Sequence, residues 1–350
     1  MNLSDYLACS NPSMPIDQDF FDQLLQRHFH HSVNCLEYCK VSNNLFLASS
    51  NNITDLPYLS ARNFKAHNLL SVPESQIFKV LQSSGTSGNS PSKIFLDKFN
   101  ARNQSIALSK LFTSYTGLQR PNILIVDSPA VSSRTASFTA RKAGILGFSS
   151  LCRKSYHALD EKYNIDADQI LRSINESDQL LVFGFTSIIW EFFASLSANS
   201  KIQFKNKTVL LHGGGWKKLT NLGITDEQFK SKLFQNYKIN DVKSYYGMVE
   251  QTGSIFFECS HGFYHSNSFA SIIPRNQVTL LPELNINVPS LCQVLSVLPT
   301  SYPGFSILTD DLISVKHFSD CPCGLKGIAF VVNGRIPTAE IRGCSDTFQP

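Results

Sequence analysis

Hydroxyl side chains, glycines and a lysine crowd into one short stretch, SSGTSGNSPSKI, from Ser83 to Ile94. Backbone N–H groups in a Gly-rich turn, with Ser and Thr hydroxyls beside them, can wrap the oxygens of a phosphate, and Lys93 can neutralise it. This is not a Walker A loop, because Gly85 is not followed at the required interval by Gly-Lys-Ser/Thr. A Ser/Gly surface linker would have the same composition. A second glycine run, LLHGGGWKK from Leu210 to Lys218, ends a strand-like segment. His-Gly-Gly-Gly after a strand is also an oxyanion-hole pattern of lipases and esterases, but the Gly-x-Ser-x-Gly elbow such a hydrolase needs occurs nowhere in the chain.

Further along, SYYGMVEQTGS sets Tyr246 and Gly247 ahead of Glu250, an aromatic ring that could stack a base and a carboxylate that could hold Mg²⁺ beside phosphates. ILTDDL offers two adjacent acids, Asp310 and Asp311, that can accept from ribose hydroxyls. NGRIPTAEIRGCSD brings Arg335 after an Asn-Gly turn, where it can reach a phosphate. The nine cysteines form an odd set, which favours thiol or metal roles over a disulfide framework. Cys259, His265 and the pair Cys321-Pro-Cys323 supply four N/S donors, the number a tetrahedral structural Zn²⁺ takes, with His261 as an alternative ligand. His28, His30, His31, Cys35 and Cys39 lack such spacing and are expected to pack within a helix. Cys9, Cys152 and Cys292 are read as small hydrophobes.

These residues need elements to carry them. Asp17 is a reasonable N-cap for a helix through about residue 33. NILIVD, LLVFGF, TVLLHG and VKSYYG are strand-like and alternate with amphipathic stretches at 100–116 and 225–237, an α/β signature. After about residue 270 the helical pattern stops, and VTLLPEL, LCQVLSVLP, FSILTDDLISVKHF and GIAFVVNG indicate a β-rich module. The expected organisation is a helical segment over 1–80, an α/β core over 81–270, a β-rich submodule over 271–334 and a tail over 335–350.

At 350 residues, 42% hydrophobic and only 17% charged, the chain is long enough for a sizeable core. Its 31 basic and 27 acidic residues are mixed, with no basic block, which argues against nucleic acid as a partner. The N-terminus carries Asp5 and no continuous apolar run, and the longest apolar stretch, from Leu180, is interrupted and too short to cross a bilayer. A cytoplasmic protein without membrane insertion is expected.

The order of the motifs narrows the reading. A Ser/Thr/Gly loop, a strand ending in Gly-Gly, Tyr-Gly-x-x-Glu, Thr-x-Asp and Gly-Arg, in that sequence, resembles the adenylate-forming superfamily of acyl- and aryl-CoA ligases. HGGGWKK, YGMVEQTGSIFFEC and EIRGCSD resemble more narrowly the acyl-protein synthetase (LuxE) family, which activates fatty acids in the bacterial bioluminescence reductase complex. The likeness spans most of residues 80–350, and the chain is also similar to the phenylacetate-CoA ligase branch, which has a Cys/His zinc site in the corresponding region.

The resemblance implies an ATP- and Mg²⁺-dependent ligase built on the α/β core of that superfamily, without its mobile C-terminal domain. It implies that Ser84, Gly85, Thr86, Ser87, Gly88 and Lys93 hold the β- and γ-phosphates, and that Gly213, Gly214 and Gly215 line the adenine. Tyr246 would stack on the base, Glu250 would hold Mg²⁺, Asp311 would bind the ribose and Arg335 would lie at the hinge. Asp310 stands where the family has glycine. No strong general base is needed for a carboxylate already ionised at neutral pH, so His212 is expected to position rather than to take protons. Cys344 matches the family's acyl-accepting cysteine, with Arg342 nearby to favour the thiolate. The acyl group would pass to a reductase or transferase. A CoA ligase that borrows its missing domain, or a silent nucleotide-binding scaffold, are the alternatives.

Overall fold

A computed structural model describes the chain except for residues 14–16, 43–51, 84–90, 134–138, 197–201, 205–206, 216–222 and 337–350. Two compact units divide it. One holds residues 1–114 together with the described residues from Gly247 onward, and the other holds Tyr115–Tyr246.

The first unit begins with helices α1 (Leu3–Cys9), α2 (Gln18–Asn34) and α3 (Leu36–Ser42). Asp17 caps α2 as the sequence leads one to expect, its carboxylate accepting from the Phe20 N–H at 3.0 Å. Phe20, Phe21, Leu24, His28 and His31 recur near helical spacing and are buried together on one face. After strand β1 (Leu59–Ser60) and the short helix α4 (Asn63–Ala66), strands β2 (Ile77–Gln82) and β3 (Lys93–Asp97) pair as a hairpin, followed by helix α5 (Lys98–Thr116).

The second unit is an α/β layer structure: β4 (Asn122–Ile125), α6 (Ala140–Ser149), β5 (Ser155–His157), α7 (Ala167–Asn175), β6 (Gln179–Phe185), α8 (Thr186–Ser195), β7 (Lys207–Gly213), α9 (Asp226–Tyr237) and β8 (Asp241–Tyr246). The strands run parallel in the order β5-β4-β6-β7-β8. β6 and β7 are continuous apolar runs because helices shield the sheet, and Leu180, Leu181, Val182, Phe183, Leu210 and Leu211 are all essentially inaccessible. Each such side chain contributes about 1.5–3 kcal/mol. A capping box on Thr225 and Gln228 starts α9, which ends at Lys238 in the left-handed conformation (φ 62°).

The first unit then resumes with β9 (Phe256–Phe257), β10 (Tyr264–His265), β11 (Ala270–Arg275), β12 (Ser290–Ser296), the long β13 (Ser306–His317) and β14 (Ala329–Arg335). The order β10-β14-β13-β12-β11 is antiparallel throughout, with β1 added parallel to β13. This is the β-rich region anticipated after residue 270, with one correction. VTLLPEL (278–284) is no strand but part of the β11–β12 connection. The Asn276 side chain accepts from the Val278 and Thr279 N–H groups, Leu280 sits at φ 60°, and Pro282 has no N–H to give a ladder. Among the described residues, no helix is long and apolar enough to cross a membrane.

Candidate functional site

The glycine run lies at the carboxyl end of β7, the end at which parallel α/β sheets bind ligands. Gly213 has no room for a side chain: a Cβ there would come within 2.5 Å of the Tyr245 ring on β8. Gly214 turns the chain at φ 92°, whereas a Cβ on Gly215 would meet nothing within 4 Å. His212, just before them, is fully buried, and burial drives its pKa down to about 3, so it is neutral. Its Nδ1 lies 2.9 Å from the hydroxyl of Thr186, the first residue of α8, which also reaches the carbonyls of Gly213 (3.0 Å) and Gly214 (3.2 Å). Carbonyls only accept and the hydroxyl has one proton, so that proton goes to the glycines and His212 donates from Nδ1. The imidazole is neutral and fixed in place by Thr186.

In the first unit, Glu250 occupies a 3₁₀ turn, Val249–Gln251, and is buried. Tyr302, also fully buried, donates its hydroxyl to the Glu250 carbonyl at 2.8 Å. Burial first, then the Glu250 carboxylate, raises the phenol pKa and keeps it protonated for that purpose. The Gln251 amide donates to the carbonyls of Val294 (3.0 Å) and Gly304 (2.7 Å). Gly253 completes the lock, because a Cβ there would lie 2.8 Å from Gln104.

Asp311 and Arg335 face each other across β13 and β14, and Arg335 Nε donates to Asp311 Oδ1 at 2.8 Å. Asp310 takes a different partner, Arg62 at 3.3 Å. The two neighbouring acids of TDDL are thus separated by the strand's alternation, and only Asp311 joins Arg335. Lys93 opens β3 at the root of the Ser/Gly loop, where Ser83 and Ser92 clasp each other through the Ser83 N–H to the Ser92 carbonyl (3.1 Å) and the Ser92 N–H to the Ser83 hydroxyl (2.9 Å).

The side chains of Cys259, His265, Cys321 and Cys323 converge, with all four donor atoms within 4.8 Å of one another. His265 Nε2 lies 3.4 Å from Cys323 Sγ. The backbone N–H groups of His261 and Leu325 point at the sulfurs of Cys259 and Cys323, each at 3.4 Å. Turns close behind Cys259 and Cys321, where the N–H groups of Gly262 (φ 76°) and Gly324 (φ 83°) return to the cysteine carbonyls. Burial pushes the Cys259 thiol up, but hydrogen bonds from His265 and the His261 and Phe263 backbone outweigh it and hold it below the ordinary thiol range. Burial pushes Cys323 up to about 12, with Cys259 and Cys321 adding to the rise. Soft donors so close, with N–H groups supporting sulfur charge and Phe263 and Leu325 packed around them, fit a tetrahedral Zn²⁺. His261 contributes its backbone here and is not among the four.

The LuxE acyl-protein synthetase family model matches residues 4–350. The chain belongs to this family. A search of curated proteins gives no match. Among solved structures, a 2-hydroxyisobutyryl-CoA ligase in complex with 2-HIB-AMP and CoA is similar at a TM-score of 0.70 and 16% identity, covering 93% of this chain and 70% of that one. ATP-bound MatB from Rhodopseudomonas palustris (TM-score 0.50, 13% identity) and a long-chain-fatty-acid-CoA ligase from Archaeoglobus fulgidus (0.51, 12%) each cover 76% of this chain, which spans about half their length, 49% and 52%. The fold of this LuxE-family protein is therefore the core of the adenylate-forming ligases.

Of the residues singled out in the LuxE-family sequence, Ser84, Gly85, Thr86, Ser87, Gly88 and Cys344 lie outside the described residues. His212, Gly213, Gly214, Gly215 and the half-buried Tyr246 belong to the second unit, and Lys93, Glu250, Asp311 and Arg335 to the first. Thr186, Tyr302 and Gln251 were missed. Thr186 leaves a trace in the sequence, a hydroxyl residue where a strand passes into a helix. Tyr302 leaves none, since it acts on a residue 52 positions earlier.

Proposed function

We propose that this protein activates a carboxylic acid, most naturally a fatty acid, with ATP and carries the acyl group as a thioester on Cys344. The family match over residues 4–350 carries this reading. In the first step the acid's carboxylate oxygen attacks the α-phosphorus of ATP, forming acyl-AMP and expelling pyrophosphate. Lys93 and Arg335 offset the charge that gathers on the phosphates. Glu250 is the side chain that would hold Mg²⁺, which supplies further neutralisation when bound. Asp311 would accept from the ribose hydroxyls, and Gly213–Gly215 with Tyr246 would receive the base. In the second step the Cys344 thiolate attacks the acyl carbon and AMP leaves, giving a thioester that a reductase or transferase would consume.

Carboxylate-dependent ATP–pyrophosphate exchange over a panel of fatty and aromatic acids tests the first step. Silence over the whole panel, together with no ATP binding, overturns the reading. Cys344→Ser should retain exchange and lose the covalent acyl adduct seen by mass spectrometry. The CoA complex of the similar 2-hydroxyisobutyryl-CoA ligase favours a second reading, transfer to coenzyme A. Acyl-CoA formed equally well by Cys344→Ser would establish it.

A further inference from the structure

The connection between β12 and β13, residues 297–305, is buried along its whole length. A buried loop must spend its backbone polar groups on partners inside the protein, and the partners of this one come from three directions. From the front, Tyr302 donates to the Glu250 carbonyl and the Gly304 carbonyl accepts from Gln251. From the side, the Asn100 side chain at the start of α5 accepts from the Thr300 and Ser301 N–H groups at 2.8 and 3.2 Å, and the Ser301 hydroxyl donates to the Phe95 carbonyl at 2.8 Å.

From behind, the N-terminal helix α2 closes on it. His30 Nε2 meets the Thr300 carbonyl at 2.8 Å and His31 Nε2 meets the Pro299 carbonyl at 3.2 Å. A carbonyl can only accept, so His31 carries its proton on Nε2 and its Nδ1 accepts from the Ser71 hydroxyl at 2.7 Å. The His31 ring also lies nearly parallel to Phe305, at 5.7 Å and 19°. Gly304 leaves no slack, since a Cβ there would come within 2.2 Å of the Tyr302 ring and 2.9 Å of the Glu250 carbonyl.

We propose that Tyr302 is the positioning residue for Glu250, and that α2 serves the active site by holding the Tyr302 loop from behind through His31. This rests on the adenylation reading above, in which Glu250 holds the magnesium ion. It also gives the N-terminal helices, which carry none of the motif residues, a part in the chemistry. The phenol hydroxyl fixes the height of the turn, and with it the reach of the Glu250 carboxylate.

The test measures acid-dependent ATP–pyrophosphate exchange as a function of Mg²⁺ for the wild type, Tyr302→Phe, Glu250→Gln and the double variant, with a melting curve for each. Tyr302→Phe keeps the ring and removes one hydrogen bond. It should raise the Mg²⁺ needed for half-maximal exchange about tenfold, leave the KM for the acid within about twofold, and recover at high Mg²⁺. The double variant should be no worse than Glu250→Gln alone, because the brace acts only through the carboxylate. Ser71→Ala, which loosens His31 from behind, should shift the Mg²⁺ dependence in the same direction by about twofold, and it decides the matter if Tyr302→Phe fails to fold. An active wild type whose variants leave the Mg²⁺ dependence unchanged, or a double variant with additive losses, overturns this proposal alone. A wild type inactive with every acid overturns it together with the adenylation reading.

Discussion

Two polar constructions in the first unit are built on opposite plans. The Cys259/His265/Cys321/Cys323 cluster gathers its donors by local turns, with Gly262 and Gly324 in left-handed conformations folding the chain back directly behind a cysteine. The Glu250 turn is fixed by groups remote in sequence, Tyr302 and the carbonyls that receive Gln251. The cluster converges on a point where protein atoms alone leave sulfurs crowded against one another. The Glu250 turn is held by hydrogen bonds between protein groups, from Tyr302 to the Glu250 carbonyl and from the Gln251 amide to two others. One construction gathers four soft donors in a geometry that fits an ion, and the other is braced by hydrogen bonds within the protein.

The sharpest way to break this contrast is to remove the metal. We predict one tightly held zinc per chain, found by atomic absorption. Its chelation, or Cys323→Ser, should cost several kcal/mol and lower the melting temperature by more than about 10 °C, because binding free energy at such a site is folding free energy. A metal-free preparation that melts like the loaded one would show the cluster to be ordinary packing.

Acid gives the next effect, and it acts where no metal is involved. Burial, above all, holds the His31 pKa well below the ordinary histidine value and takes that of His212 down to about 3. Above about pH 6.5 both are neutral, folded or unfolded, and contribute no pH dependence. As pH falls through about 6.5 the unfolded chain binds protons that the fold refuses. Stability then drops by about 1.4 kcal/mol per pH unit for each of the two groups. Urea midpoints between pH 7.5 and 5 should record the fall, and a protein already stripped of metal should still show it. A flat profile would mean that neither imidazole is as enclosed as described.

The same contrast explains what could be read from the sequence. Cys-x5-His and Cys-x-Cys announce themselves because ligands set by local turns keep a fixed spacing, and the four residues do converge. The parallel strands were legible for a similar reason, since LLVFGF and TVLLHG are apolar on both faces and a doubly covered strand demands that. VTLLPEL misled because β-branched and aliphatic residues suit a strand, while the Asn276 side chain and Pro282 turned the chain instead. The braces were invisible. A tyrosine donating to a backbone carbonyl 52 residues away imposes no periodicity and needs no particular neighbour. Nor could composition tell that Gly213 is a glycine for the sake of Tyr245.

Smaller effects separate bracing from ligand recognition within the glycine run. Thr186→Val keeps the shape of the side chain but deprives His212 Nδ1 and two carbonyls of their shared hydroxyl, which should cost about 1–3 kcal/mol by denaturant melts. A cost near zero would mean that water replaces the hydroxyl freely and that no brace exists there.

The smallest change is the most discriminating. Gly215 has open space where a Cβ would go and no left-handed backbone to forbid it, in contrast to Gly213, whose Cβ would strike the Tyr245 ring. Gly215→Ala should therefore leave stability within about 0.5 kcal/mol. Folding places no demand for glycine at this position, so any loss must come from something that fills the space later. If Gly215 lines the adenine, the alanine variant melts like the wild type yet shows a raised KM for ATP in pyrophosphate exchange, with the KM for the acid unchanged. An equal ATP KM would remove Gly215 from the nucleotide site and leave Gly214, held through its carbonyl by Thr186, as the last residue of the run with a role there.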